Sequence, residues 1–226
     1  MNKLKLEIIQ ELSIVFNAPD CNPILFTPNF LKGSGIIPGD WQLAHQPQLS
    51  PQAAQISFTN GISIIAQPTS LVLIQSLGRT DDLQQVKIDD LAHKHLKALP
   101  NLEYQTIVLN PRSIVTFPDQ NQQVAHEFIF RLLAPAPWQN FDDARLQAKL
   151  NLIYTFQKCE LNLNISEISL RQEGLDPVGA VFFSGSFAKP IKGDSAGENF
   201  EQMAQHIDAW RDLTMIYRKV LQQFFK

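Results

Sequence analysis

Read for alternation of apolar and polar positions, the chain divides into short pleated segments and two amphipathic stretches. From Leu4 to Phe16 the apolar residues fall at every second position except around Gln10, which predicts an opening strand with one polar interruption. Asn17 to Pro51 holds Pro19, Pro23, Pro28, Pro38, Pro47 and Pro51 among Ile24, Phe26, Phe30, Leu31 and Trp41. That mixture predicts an ordered loop packed on the body, with one short helical turn. Next come Gln55 to Thr59, the pair Asn60-Gly61, and Ile62 to Ala66, a hairpin signal for a two-residue turn with positive φ at both positions. A second turn at Gln67-Pro68-Thr69 leads into Leu71 to Leu77, completing a three-stranded meander.

Ile88, Leu91, Ala92, His95, Leu96 and Leu99 recur at intervals of three and four, a helix that Pro100 ends. Strands are expected at Glu103–Leu109 and Ser113–Phe117, separated by Asn110-Pro111-Arg112, and Val124 to Leu133 fits a helix better than a strand. Pro135 and Pro137 mark a boundary between halves 1–134 and 135–226. Beyond it, Leu146 to Phe156 alternates without a miss. Cys159, Leu161, Leu163 and Ile165 alternate again, with a phase change that predicts a bend or bulge near Ser166. Ala180 to Phe187 is a third strand, whose Gly185 suggests another bulge. From Phe200 to Phe224 an unbroken stripe predicts one long helix lying across the sheet. Each half thus reads as antiparallel strands in series followed by a helix, a coarse internal echo.

Composition changes this picture mainly by exclusion. With 44% apolar and 18% charged residues the chain is a folding sequence. Nineteen basic against 22 acidic groups leave a net charge of −3, without the surplus that displaces counterions from nucleic acid. Cys21 and Cys159 lie far apart with no CxxC spacing, so they read as small buried hydrophobes. Lys3, Lys5, Glu7 and Glu11 interrupt the first apolar residues, which a secretory leader would not tolerate, and no run approaches a membrane span. The expected compartment is the cytoplasm.

Three motifs carry candidate chemistry. Gly193-Asp194-Ser195-Ala196-Gly197 satisfies G-x-S-x-G, but the one histidine after it is His206, within the same helix, and Ser195 with Glu198 reads better as a capping box. Asp89, His93 and His95 are ligand types, yet 100° per residue turns the two histidines about 200° apart, so they cannot share a metal. Gly33 to Gly39 lacks the strand and the Lys-Ser/Thr of a phosphate loop. No cofactor or metal is implied.

Gln55-Ile-Ser-Phe-Thr-Asn-Gly, the Leu71-Val-Leu strand, Tyr104, Asn110-Pro111-Arg112, Ala134-Pro-Ala-Pro-Trp138, Leu161-Asn-Leu-Asn164 and the closing Val220-Leu-Gln-Gln-Phe-Phe together resemble a family of uncharacterised conserved proteins of bacteria, of cyanobacterial type. The resemblance implies no activity and transfers no catalytic residue.

The expectation is therefore an α+β protein with mainly antiparallel sheet, about nine strands, a mid-chain helix and a long C-terminal one. Its 22 glutamines supply neutral hydrogen bonding and poor acid–base chemistry. This points to a non-catalytic binding or assembly protein with a protein partner or a second copy of itself. The alternative is a small-molecule binder or enzyme with a site between the sheet and the 17–51 loop. Phe26, Phe30 and Trp41 would form its walls, and Arg79 or Arg112 would hold an anion.

Overall fold

Alternation decides the first strand. Leu12, Ile14 and Phe16 are fully buried on one side of β1 (Ile9–Asn17), and Glu11, Ser13 and Val15 take the other. A computed structural model describes residues 9–78, 83–117, 122–139, 142, 144, 146–171, 174 and 176–226. The polar interruption is a β-bulge. The register against the neighbouring strand shifts between Ile9 and Glu11, and the Gln10 amide replaces the lost ladder by bonding both N–H and C=O of Ile114, at 2.6 and 2.9 Å.

The remaining strands are β2 (Gln48–Leu49), β3 (Ala54–Ser57), β4 (Ile62–Gln67), β5 (Ser70–Ser76), β6 (Thr106–Thr116), β7 (Lys149–Thr155), β8 (Glu160–Leu170) and β9 (Val178–Pro190). The helices are α1 (Pro28–Gly33), α2 (Ile88–Ala98), α3 (Gln122–Arg131), α4 (Ala196–Asp208) and α5 (Trp210–Gln223). All nine strands form one antiparallel sheet, ordered β2-β3-β4-β5-β1-β6-β9-β8-β7. An echo is visible in this order, but its copies divide between α2 and β6 and not at Pro135 and Pro137. A first strand, a helix-bearing connection, a three-stranded meander and a terminal helical segment occur twice, opened by β1 and by β6. In each copy the last meander strand pairs with the first strand, and β1 and β6 meet at the centre.

Several local expectations are corrected. The two strands around Asn110-Pro111-Arg112 are a single strand, β6, paired on both sides. Its ladder to β1 runs through Leu12↔Pro111, whereas the ladder to β9 skips from Leu109↔Phe187 to Arg112↔Ser184. The N–H that proline lacks is thus missing on the β9 side, where a short gap absorbs it. Gly185, opposite that gap, is no bulge, because the β8–β9 register continues through Leu163↔Gly185. The same unbroken register removes the bulge near Ser166. The phase changes there because β7 stops opposite Ser166 and the core-facing position is taken by Glu167, 3.2 Å from His126 of α3.

The turn at Asn60-Gly61 is wider than two residues. Gly61 N–H bonds Phe58 C=O, Phe58 N–H bonds Ile62 C=O, and only Gly61 (φ 82°) is left-handed, so the loop spans Thr59 to Gly61. The terminal helix keeps its stripe but is divided at Ala209 (ψ −1°) into α4 and α5. Residues 4–8 of the expected first strand lie outside the described residues.

Helices α2 to α5 lie on one side of the sheet. His95 of α2 contacts Phe16, Phe128 of α3 contacts Phe183, His206 of α4 bonds Phe187 C=O, and Tyr217 of α5 bonds Phe183 C=O. The 17–51 loop joins this layer through Phe26, which lies against His95. Among the described residues no helix packs on the opposite face. No helix is long and apolar enough to cross a membrane.

Candidate functional site

Capping chemistry accounts for the G-x-S-x-G segment. Ser195 Oγ accepts from Glu198 N–H at 3.2 Å, and Glu198, Asn199 and Gln202 turn back to accept from the backbone of Asp194, Gly193 and Lys192. The serine is committed to the helix end. His206 lies eleven residues further along α4, about 16 Å at 1.5 Å per residue, and is spent on Phe187 C=O. A cavity of about 340 Å³ opens beside this cap, between Pro100–Tyr104 and Ser195–Met203.

The polar face of α2 is a clamp between helices. Asp89 accepts from Trp210 Nε1–H at 3.0 Å, His93 Nε2 lies 2.9 Å from Asp208, and Asp90 pairs with Lys94 along the helix. His95 points the other way and has no exposed surface. Among the described residues no three His, Cys, Asp or Glu side chains gather as metal ligands.

Beneath the 17–51 loop the packing is aromatic. Phe16, Phe26 and Tyr104 surround His95, whose Nε2 lies 3.0 Å from the Tyr104 hydroxyl, while Nδ1 is buried without a partner. Burial lowers the His95 pKa to about 3, so the ring is neutral at physiological pH. Burial raises Tyr104 as well, and pushes the Cys21 thiol up to about 11. These shifts stabilise the uncharged forms and leave Cys21 a poor nucleophile.

Two of the three sequence-predicted wall residues come together, and the third packs on the sheet. Phe26 and Phe30 meet edge-on at 6.0 Å, and Trp41 packs on Phe58 at 5.2 Å. Phe26 is buried, as are Leu31, Ile36 and Ile37 of the same loop. Arg79 lies outside the described residues. Arg112 belongs to the opposite face of the sheet, where it meets Glu11 at 2.6 Å.

Among the described residues that face is left uncovered by the helices. The pairing registers align Ser76, Glu11, Arg112, Ser184, Asn164 and Asn151 in one row across six strands. Parallel to it runs an apolar row, Ile65, Val72, Val15, Val108 and Ala188. No known family model and no curated protein matches this chain. The chemistry must be read from these side chains alone. Serine and asparagine donate and accept without charge, and the single ion pair at the centre of the row is internally neutral. Such a surface can hydrogen-bond another surface. Arg112 is legible in the sequence and its row is not, because the members are brought into line only by strand pairing.

Proposed function

We propose that the chain is a non-catalytic binding or assembly protein that receives a protein partner on the uncovered face of its sheet. The observation that carries this reading is the six-residue polar row and, one same-face row further along the strands beyond Ser13, Asn110 and Ser186, an apolar row, on the side opposite α2 to α5. An antiparallel sheet with one face on the core can leave the other in water, and the usual outward pattern is polar. Here that face also keeps Ile65, Val72, Val15 and Val108 together, only partly exposed. Neutral hydrogen-bonding groups around an apolar strip match the mixed composition of protein interfaces. The internally balanced Glu11–Arg112 pair favours a partner surface without strong charge of either sign.

The test is affinity capture with the full chain against a Ser184→Arg/Asn164→Arg variant, which fills the face with bulk and charge. Met215→Lys, on the exposed side of α5, serves as control. One dominant protein partner retained by wild type and control, and lost by the double variant, is the expected result. A partner that binds all three equally, or a stoichiometric small molecule retained in the native mass spectrum, overturns the reading.

A further inference from the structure

A sheet that does not close has two edges, and the two here are built differently. The β2 edge is two residues long, between Pro47 and Pro51, the short and proline-flanked form that discourages further pairing. At the other edge β7 offers seven residues, Lys-Leu-Asn-Leu-Ile-Tyr-Thr, with no proline or glycine and one charge at its end. Its inner side pairs with β8; among the described residues no backbone bond reaches its outer side. The apolar layer stops abruptly there. Leu150, Leu152 and Tyr154 stand opposite Ile165, Leu163 and Leu161, which are fully buried, yet are themselves only half covered. On the other face Ile153 is 62% exposed; beyond the strand end Phe156, stacked on the core-side Tyr154, is also exposed.

We infer that β7 pairs antiparallel with β7 of a second copy of this chain, extending the sheet across a two-fold axis at Leu152. Antiparallel pairing of identical strands is self-complementary, so it closes as a dimer and leaves no free end of this kind. One register pairs all seven residues. It sets Leu152 against itself, Leu150 against Tyr154, Asn151 against Ile153 and Lys149 against Thr155 of the second copy. No like charges face each other, and every core-side position meets an apolar one. The axis runs perpendicular to the sheet, so both helical layers fall on one side and both polar rows on the other. The inference deepens the assembly reading above by naming one partner; it uses the edge strand, whose Asn151 also ends the polar row, and it is read by mass and not by capture on the face.

The test is sedimentation or light scattering of the full chain over a concentration series. Wild type is expected to approach twice the chain mass of 25.6 kDa. Asn151→Lys/Ile153→Lys places like charges opposite one another and should return the mass to that of one chain, with far-UV dichroism unchanged. Asn151→Glu/Ile153→Glu should do the same. Mixing the lysine and glutamate variants should restore the doubled mass as a heterodimer, a rescue that a misfolded variant could not give. A wild type that stays monomeric, a lysine variant that stays dimeric, or a mixture that does not associate each overturns the edge pairing. In each case capture by the Ser184/Asn164 face remains a separate measurement, so the two ideas can fail independently.

Discussion

At the residue scale the centre of the sheet depends on one absent side chain. A Cβ placed on Gly185 would stand 2.7 Å from Tyr217 Cδ2 and 3.1 Å from Pro111 Cγ. Glycine here lets the tyrosine ring lie on the strand beside the gap left by proline. The Tyr217 hydroxyl then reaches Phe183 C=O at 3.0 Å, and also bonds Ser113, in a place with no exposed surface. Gly185→Ala must move that ring and is expected to cost about 1–3 kcal/mol in urea unfolding, the usual effect of overpacking. In a Tyr217→Leu background, where the ring is gone, the alanine should cost clearly less. Equal costs in the two backgrounds would show that the ring and the strand are not coupled.

At the element scale, α2 begins without a cap of its own. Lys87 makes no side-chain capping bond, and Gln75, buried at the end of β5, substitutes: its Oε1 accepts from Lys87 and Ile88 N–H, and its Nε2 donates to Gln85 C=O at 2.7 Å. Gln75→Leu should destabilise the chain by about 1–3 kcal/mol, because buried N–H groups lose their acceptor. Hydrogen exchange should quicken first at Lys87 and Ile88, and unchanged protection there would refute the role. Such a partner is invisible to periodicity, since it lies twelve residues away and joins the helix only through the fold. The core stripe of α2 was legible, because Ile88, Leu91, Ala92, His95 and Leu96 follow the helical repeat and are the residues buried. β6 was misread for the opposite reason: Asn-Pro-Arg is a turn signal locally, and pairing on both flanks overrides it. The count of nine strands survives that error because β2, too short to show a pattern, offsets the merged pair. Of the candidate site, Arg112 was legible as a lone cation and its row was not, because register is a property of paired strands.

At the scale of the whole molecule, the two topological copies are joined at three levels, and one of them should make the fold sensitive to acid. β1 and β6 join them in the sheet; Asp89 with Trp210 and His93 with Asp208 join the helices; and His95 joins α2 to β1, to the 17–51 loop and, through Tyr104, to the approach to β6. Burial holds the His95 pKa near 3 in the native state and lowers His206 in the same direction, whereas an unfolded histidine titrates near 6.5. Between those values the unfolded chain binds the His95 proton and the native chain does not. Stability must therefore fall as pH falls from about 6.5 toward 3, with a slope from this group of up to about 1.4 kcal/mol per pH unit; above 6.5 the group contributes no pH dependence. Because the ring touches β1, the 17–51 loop and, at Tyr104, the segment that leads into β6, its protonation should loosen them together, as one cooperative transition. Urea midpoints measured between pH 7.5 and pH 4 should drop for the wild type and drop less for His95→Phe, which fills the same space and leaves Tyr104 its bond to Leu99 C=O at 3.2 Å. Parallel curves for the two proteins would mean that the histidine is not what makes the joint give way.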